Sequence, residues 1–391
     1  MPEQADHSDL QPNKLESIRS RFVPWLIVIV SVYVLLVAVG VIGKGFRHVF
    51  GGAEGAESLF AFATNPFIGL VIGILATALI QSSSTVTSII VALVAGGMPI
   101  AAAIPMIMGA NVGTTVTNTL VSFGHVNRPG EFRKAFAAAT VHDFFNLLSI
   151  AIFLPLELAF GFLEKLSGAL VHAIENIGSV DASGKGIVKM VLGSGASFVE
   201  SLTSSLPDPW GGFVLIAAGI ALILLSIMYL GNALRTVFVG RARKFLQAAV
   251  GKGPVTGIFS GTLVTVLVQS SSTTTSIIVP LAGSGMIGLR HVYPFTLGAN
   301  IGTTVTALLA ATAITGATHA IAHQIAIGHF LYNLLGVIVV YGLPWLRGIP
   351  IAGAEWIARL GSERKGLAVA YILSVFFGVP GALVLFKMWL S

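Results

Sequence analysis

The sequence predicts an all-α polytopic membrane protein built from two inverted repeats, each with a re-entrant helical hairpin that carries the residues QSSS. Hydrophobic residues make up 55% of the 391-residue chain and charged residues only 10%, which is more apolar than a soluble core requires. Charge-free runs at 22–43 and 211–230 are long enough to cross ~30 Å of hydrocarbon as single helices. The motif QSSST occurs at 81–85 and again at 269–273, which indicates an internal duplication.

Three motifs recur in the same order along the chain. In the first set they are QSSSTVTS from Gln81, GANVGTTVT from Gly109 and HDFFNLL from His142, and in the second set they are QSSSTTTS from Gln269, GANIGTTVT from Gly298 and HFLYNLL from His329. Their order predicts that repeat 1 covers residues 22–160 and that repeat 2 covers residues 211–343.

Each QSSS motif lies between two apolar stretches that are too short to span a bilayer. At 1.5 Å per residue each stretch covers only about 20 Å, so the regions near 67–98 and 255–286 are predicted to be re-entrant helical hairpins. Non-helical backbone at membrane depth is tolerated only where protein or water satisfies its polar groups. The QSSS tips are therefore expected to face the protein interior, and two hairpins that enter from opposite sides would bring them together around the midplane.

Seven full crossings are predicted, at residues 22–43, 99–123, 135–160, 211–231, 289–313, 319–343 and 366–388. Each repeat contains three of them, and this odd number requires the second repeat to run inverted. Most of the 22 Lys and Arg residues fall on inner segments if the N-terminus is cytoplasmic, which predicts that orientation in a plasma (inner) membrane. The remaining segments are predicted as a cytoplasmic tail (1–21), an external linker loop (161–210), and a loop followed by the last transmembrane helix (344–391).

Composition also excludes several classes of function. The chain has no cysteine, so it has no disulfides and no thiolate chemistry. Its basic residues are spread over loops rather than clustered with aromatic residues, which argues against binding of nucleic acid. No lysine partner or Asp/His triad accompanies the QSSS serines, so an enzyme is not predicted. The expected surroundings are a lipid bilayer, and a homodimer is compatible with the sequence.

The QSSS tips combine chemistry for cations with chemistry for anions. A tip that ends one half-helix and begins another gathers carbonyl groups from the first and free N–H groups from the second. Serine and threonine hydroxyls can donate to phosphate oxygens or ligate sodium through lone pairs. The alternative is that these hydroxyls only join helices or bond to their own backbone. The candidate residues are Gln81, Ser82, Ser83, Ser84 and Thr85, and Gln269, Ser270, Ser271, Ser272 and Thr273.

Two further motifs add buried polar candidates. The GANVGTT and GANIGTT glycines let a backbone approach closely, and helix packing alone is an equal explanation for them. The attached amides and hydroxyls must find partners when buried, which favours binding by Asn111, Thr114, Thr115, Asn300, Thr303 and Thr304. His142 with Asn146, and His329 with Asn333, are interpreted as interhelical hydrogen bonding because residues four apart share a helix face.

The distribution of charge indicates how an anion would be bound. No Lys or Arg lies between Arg47 and Arg128, and no Asp or Glu lies between Asp208 and Glu355. An anion in this core would be neutralised by helix N-termini and co-bound cations, and mutual stabilisation of that kind is typical of a symporter.

Asp143 is the only carboxylate well inside a predicted crossing, and such residues are functional by default. Its counterpart in repeat 2 is Phe330, so any role for this carboxylate breaks the symmetry of the repeats. The alternative is an ion pair with His142 or Arg133.

These motifs resemble those of the type II sodium-dependent phosphate cotransporters, over about residues 60–160 and 210–345. The resemblance rests on the paired QSSS and GANxGTT segments and on the stretch EFRKAFAAATVHDFFNLLSIAIFLPLE. It implies a sodium-driven carrier of inorganic phosphate, with Thr303 and Thr306 among its binding residues. It also implies that Asp143 matches an aspartate associated with an extra sodium in electrogenic members. Asn127 stands where animal members carry an aspartate, which affects one sodium site.

The predicted function is therefore symport of phosphate into the cell with co-transported sodium ions. The predicted substrate-binding residues are Gln81, Ser82, Ser83, Ser84, Thr85, Asn111, Gln269, Ser270, Ser271, Ser272 and Asn300. The predicted sodium ligands are Gln81, Ser82, Thr114, Thr115, Asp143, Gln269, Ser270, Thr273, Thr303, Thr304 and Thr306. The alternatives are a same-fold carrier of another oxyanion, an ion channel with paired re-entrant filter loops, and a membrane scaffold.

Overall fold

The computed structural model describes residues 14–50, 65–177, 183–207, 209–249, 252–314, 318–382 and 385. Among these residues the secondary structure is helical and contains no strand, which confirms the predicted all-α class. The helices are α1 (Lys14–Phe50), α2 (Pro66–Ile80), α3 (Ser83–Ala95), α4 (Ile100–Gly113), α5 (Thr115–Ser122), α6 (Pro129–Phe160), α7 (Phe162–Ile177), α8 (Ser183–Ser201), α9 (Trp210–Ala249), α10 (Pro254–Val268), α11 (Ser271–Gly283), α12 (Leu289–Thr312), α13 (His319–Gly336), α14 (Pro344–Glu363) and α15 (Lys365–Leu373).

Seven segments of the described chain are helical, long and apolar enough to cross a membrane. Each overlaps one of the seven predicted crossings, so the prediction of a multi-pass membrane protein is confirmed. The segments are Phe22–Phe46, Ile100–His125, Pro129–Phe160, Trp210–Leu234, Leu289–Thr312, His319–Tyr341 and Lys365–Ala382.

Two pairs of shorter helices occupy the predicted hairpin regions. α2 and α3 fall within 66–95, and α10 and α11 fall within 254–283; each of the four has 13 or 15 residues. Helices of that length are too short to span a bilayer. Their re-entrant position and the inversion of the second repeat stay predictions. Of the predicted cytoplasmic tail, residues 1–13 lie outside the described residues, and α1 already begins at Lys14.

Glycines allow the backbones of α2 and α4 to come into direct contact. A Cβ added to Gly73 would overlap the carbonyl oxygen of Met106, and a Cβ added to Gly109 would overlap that of Leu70. Small residues four apart are a common means of close helix packing in membranes. The same contacts join α10 to α12, where the pairs are Gly261 with Phe295 and Gly298 with Ile258.

The predicted linker loop at 161–210 contains two helices, α7 and α8, and its external position stays a prediction. Leu163, Ser167 and Val171 are buried at a spacing of four, which gives α7 one packed face. Its N-terminus is capped by Glu157, whose carboxylate accepts a hydrogen bond of 2.6 Å from the Leu163 N–H. The glycine and serine content of α8 favoured the assignment of the whole segment as a loop.

The segment after residue 343 also differs from the predicted loop, because α14 occupies Pro344–Glu363. Leu346, Pro350, Ala354, Ile357 and Gly361 are buried along one side, at the spacing of an amphipathic helix. α14 packs on α6. Its 20 residues are long enough to cross a bilayer, but its charged and polar residues leave it outside the segments that are apolar enough to do so.

The two GANxGTT segments fold differently. The first is interrupted at Thr114, which separates α4 from α5, whereas the second runs without interruption through α12. The largest group of buried apolar side chains surrounds the first segment and includes Ile42, Ile90, Met108 and Ile325. This core joins helices from both halves of the sequence.

Candidate functional site

Each QSSS motif forms a sharp turn between two helices. α2 and α10 end directly before Gln81 and Gln269, which adopt the left-handed conformation with φ of 60° and 53°. In the described part of the chain these are the only non-glycine residues with positive φ. That conformation costs an L-residue roughly 1–2 kcal/mol. Strain of this kind persists where surrounding contacts impose it, and it concentrates at functional sites.

A serine follows each glutamine and starts the next helix. Ser82 and Ser270 are extended N-cap residues whose hydroxyl oxygens accept hydrogen bonds from the N–H groups of Thr85 (3.3 Å) and Thr273 (3.2 Å). Their hydroxyls also lie 2.9 Å from the hydroxyls of the same threonines. Serine is among the best N-cap residues because it satisfies an otherwise unpaired donor. The sequence thus places the end of one helix and the start of another within three residues.

Both glutamine amides are held at two points. Gln81 Nε2 donates to the Ala78 carbonyl at 3.0 Å, and its Oε1 accepts from Thr117 Oγ1 at 2.9 Å. Gln269 Nε2 donates to the Val266 carbonyl at 2.8 Å, and its Oε1 accepts from Thr306 Oγ1 at 2.8 Å. Each threonine is the last residue of its GANxGTTVT motif. The amide orientation is therefore fixed from the neighbouring helix, and each Oε1 keeps a second lone pair.

The two tips line a single cavity of about 450 Å³. α9 forms its remaining wall through Leu224, Leu225, Ile227, Met228, Gly231 and Asn232. The predicted residues that reach it are Gln81, Ser82, Ser83, Ser84 and Thr85 from the first copy and Gln269, Ser270, Ser271 and Ser272 from the second. Motifs far apart in the sequence therefore meet in one place, as the sequence predicts.

This cavity is polar without being charged. None of the described residues that line it carries a charge. Ser83 and Ser84 begin α3, and Ser271 and Ser272 begin α11. The first N–H groups of a helix have no intrahelical partner and carry a partial positive charge. Two helix N-termini and several hydroxyls therefore converge where no arginine or lysine is present among the described lining residues.

The asparagines of the GANxGTT motifs lie in a buried network rather than in this cavity. His142 Nε2 donates to Asn300 Oδ1 at 2.5 Å, Asn300 Nδ2 donates to Asn146 Oδ1 at 2.8 Å, and Asn146 Nδ2 donates to the Asn111 carbonyl at 2.9 Å. The chain of bonds links α6 to α12 and α4. Interhelical bonding, the interpretation made from the sequence for His142 and Asn146, is thus found.

The equivalent pair in the second copy behaves differently. Asn333 Nδ2 donates to the His329 carbonyl in its own helix at 3.0 Å. Both ring nitrogens of His329 and the Asn333 side-chain oxygen are buried without a hydrogen-bond partner among the described residues, as is Asn111 Nδ2. The interhelical bonding expected for His329 and Asn333 is therefore absent from the described contacts, and the polar networks of the two copies are unequal.

Asp143 is fully buried and bonded to a tyrosine of the last crossing. Its Oδ2 accepts a hydrogen bond of 3.0 Å from Tyr371, and its Oδ1 has no hydrogen-bond partner among the described residues. His142 is engaged with Asn300 instead, and Arg133 is exposed and forms no described ion pair. Neither ion-pair alternative for this carboxylate is therefore found.

Of the six threonines predicted as sodium ligands, two lie at or beside the QSSS cavity and four bond to helix carbonyl groups. Thr306 bonds to Gln269 beside the cavity, and Thr273 donates its N–H to Ser270, the N-cap of α11, next to it. The hydroxyls of the other four donate to helix carbonyls, at Ala110 for Thr114, Val112 for Thr115, Ala299 for Thr303 and Ile301 for Thr304. Their lone pairs stay available to a cation. No cluster of three or more His, Asp or Glu residues able to hold a metal ion occurs in the described chain, so oxygen ligands of hydroxyls, amides and carbonyls are what it offers.

Four contributors were not singled out from the sequence. Thr117 occupies the position in the first motif that Thr306 occupies in the second, so the repeat alignment was a signal for it. Asn118 accepts a hydrogen bond of 2.5 Å from Thr275. The equivalent residue in the second copy is Ala307, which cannot make this bond. Tyr371 and the α9 wall of the cavity gave no signal, because only packing brings them to the site.

Comparison with known proteins agrees with these features. The family model described as Na+/Pi-cotransporter matches residues 34–179 and 222–342, which include both QSSS tips and both GANxGTT motifs. The chain belongs to the Na+/Pi-cotransporter family. This membership confirms the resemblance noted from the motifs, and it confirms a transporter rather than an enzyme.

Curated relatives in this family align over most of the chain. A sheep protein named sodium-dependent phosphate transport protein 2A is 32% identical over 96% of this chain and 70% of its own length, and the rat protein of the same name is 32% identical over 94% and 68%. The human sodium-dependent phosphate transport protein 2B is 32% identical over 89% and 63%. No solved structure matches the chain.

Proposed function

We propose that this member of the Na+/Pi-cotransporter family is a secondary active transporter that couples inward sodium flow to uptake of inorganic phosphate. The observation that carries the proposal is the single uncharged cavity lined by both QSSS tips. The names of its relatives support sodium and phosphate as the two substrates.

Phosphate binds between the starts of α3 and α11 in this proposal. Ser83, Ser84, Ser271 and Ser272 supply backbone N–H groups and hydroxyls from two helix N-termini, which together form an anion site. Because no described lining residue is cationic, the phosphate charge is offset only in part by the protein. The remainder has to come from cations that bind at the same time, and this is the physical basis of coupling.

Sodium binds to the oxygen atoms around the same tips. Gln81 Oε1 and Gln269 Oε1 are fixed in orientation by Thr117 and Thr306, and the Ser82 and Ser270 hydroxyls lie next to them. The carbonyl ends of α2 and α10 add negative partial charge. Thr303 and Thr304, with Thr114 and Thr115 in the first copy, are the proposed further ligands. Asn111 and Asn300 support the site through the buried network.

Asp143 is proposed to hold an additional sodium ion. Its free Oδ1 and its hydrogen bond from Tyr371 leave one oxygen for a cation in a fully buried place. A lone ionised carboxylate at such depth costs several kcal/mol unless a cation or strong donors accompany it. The carboxylate would thus make the transport cycle electrogenic.

Alternating access follows in this proposal from the inverted arrangement of the two repeats. The re-entrant pairs α2–α3 and α10–α11 would enter from opposite sides of the inner membrane and meet at the cavity, with the N-terminus in the cytoplasm. The glycine contacts of α2 with α4 and of α10 with α12 join each pair to its neighbouring helix, so each pair would move with that helix.

A channel and a carrier of another oxyanion are the rival functions. A channel with paired filter loops would need a continuous row of cation ligands, whereas the cavity presents donors and acceptors together. Sulfate or arsenate would fit the same donors, so a competition experiment is needed to rank the three anions.

The test is uptake of labelled phosphate into proteoliposomes driven by an inward sodium gradient, with a potassium gradient as control and excess sulfate or arsenate as competitor. Equal uptake under both gradients would reject the proposal.

A further inference from the structure

A second cavity, of about 540 Å³, lies away from the QSSS tips and is lined by cationic side chains. We call it the basic cavity, and its lining includes Arg133 and Lys134 of α6, Gly285 and Gly288 of the turn between α11 and α12, and Glu355 of α14. No residue is shared with the QSSS cavity. The transport mechanism proposed above makes no use of these groups.

The two cations of this cavity have no acidic partner. Arg133, Lys134 and Glu355 are exposed, and in the described part of the chain none of the three forms an ion pair. Lys134 Nζ lies close to Gly285 in the turn. It is 2.9 Å from the point that a Cβ would occupy if Gly285 carried a side chain. The cavity therefore has an excess of one positive charge from its side chains.

Two helix N-termini add to this positive character. α6 begins after Arg128 and α12 begins after Gly288, and neither start is capped by a side-chain hydrogen bond. Gly130 in the first turn of α6, and Gly288 and Leu289 at the start of α12, line the cavity. Uncapped N-termini favour anions, and phosphate groups in particular. Unlike a helix end alone, this site joins two such ends with two unpaired cations around one open cavity.

We propose that the basic cavity is a second binding site, for a phosphate group, with Arg133 and Lys134 as its cationic ligands. Both helix starts are the first residues of candidate membrane spans, Pro129–Phe160 and Leu289–Thr312, so the cavity lies at the level of a span end. Basic pockets between helices at that level take anionic lipid headgroups. Free phosphate released from or arriving at the transport cavity has the same chemistry.

The site is tested on the purified full-length chain with two probes. Binding of ³²P-labelled inorganic phosphate is measured in sodium-free buffer, where coupled binding at the QSSS cavity is minimal, and binding of phosphatidylglycerol is measured by native mass spectrometry after delipidation. The double variant Arg133→Gln/Lys134→Gln should weaken binding of one of these probes about tenfold, because two charge-assisted contacts are lost. The probe that responds identifies the source of the phosphate group.

Two single variants test whether the effect depends on the charges that line the cavity. Glu355→Gln removes the only negative charge of the cavity and should strengthen binding of the same probe severalfold. Arg359→Gln removes an exposed positive charge one turn away on α14, outside the cavity lining, and should leave binding within about twofold. If the double variant binds both probes as well as the unmodified chain does, the site is rejected. Loss of sodium-driven uptake in Gln269→Ala, with sodium-free binding retained, would separate this site from the transport site.

Discussion

Thr306 Oγ1 donates a hydrogen bond of 2.8 Å to Gln269 Oε1, and the bond joins α12 to the left-handed tip between α10 and α11. The same bond joins Thr117 to Gln81 at 2.9 Å. A glutamine oxygen with a fixed orientation and a free lone pair is suited to a cation. These two bonds therefore connect the GANxGTTVT motif to the proposed sodium ligands.

Thr306→Val should raise the sodium concentration needed for half-maximal phosphate uptake by up to about tenfold, because valine keeps the shape of threonine but leaves the Gln269 amide held only by the Val266 carbonyl. The measurement is uptake into proteoliposomes at varied sodium. The control is Thr312→Val on the same helix, whose exposed hydroxyl donates only to the Leu309 carbonyl. Equal sodium dependence of the two variants would contradict the role of the Thr306 bond.

Alanine and glycine variants of Gln81 or Gln269 should distinguish the effect of losing the side-chain amide from the effect of the left-handed backbone conformation. The alanine and glycine variants should both abolish uptake, because each removes the amide. The glycine variants should be more stable by about 1 kcal/mol than the alanine variants, because glycine adopts positive φ without strain. Thermal unfolding in detergent and uptake in proteoliposomes check the two effects. Near-normal uptake in any of these variants would refute a shared site.

Asp143→Gly should keep sodium-dependent phosphate uptake but remove its dependence on membrane potential. Divalent phosphate with two sodium ions is electroneutral, and a third sodium adds one charge worth ~2.3 kcal/mol per 100 mV. Tyr371→Phe, which keeps the carboxylate, should retain the voltage response. Uptake in vesicles clamped at two potassium-set potentials measures it. A voltage response that persists in Asp143→Gly would exclude the third-sodium role.

The two hairpins should open to opposite sides of the membrane. Phe67 near the start of α2 and Val255 near the start of α10 occupy equivalent positions and are 48% and 78% exposed. Because the chain lacks cysteine, Phe67→Cys and Val255→Cys can be labelled without background by a membrane-impermeant maleimide. We expect the first to react from outside and the second from inside. Reaction of both from one side would refute the inverted arrangement.

The sequence predicted the crossings and the meeting of the QSSS tips because both depend on local signals. Span length is read from runs of apolar residues, and the tips are marked by a duplicated polar motif in an apolar chain. The segments that hold α7 and α14 were assigned as loops because charged residues interrupt their apolar runs, and burial of one face became evident only through packing. The same limit applies to Tyr371, whose bond to Asp143 joins residues 228 positions apart in the sequence.

The difference between the copies was also beyond sequence reasoning. His142 and His329 carry the same motif, yet only His142 bonds across helices to Asn300. Likewise the first GANxGTT segment is interrupted at Thr114 and the second is continuous. Equivalent sequences occupy unequal environments here, because the partners that differ are supplied by helices distant in the sequence.

In the proposed mechanism sodium and phosphate bind together at the cavity between Gln81 and Gln269, and simultaneous measurement of the two fluxes tests this. Uptake of ²²Na and of ³²P-labelled phosphate into the same proteoliposomes is followed with each substrate present or omitted. We expect a constant ratio of sodium to phosphate, loss of each flux when the other substrate is omitted, and loss of both in Gln269→Ala. Sodium flux without phosphate, or phosphate flux without sodium, would contradict it.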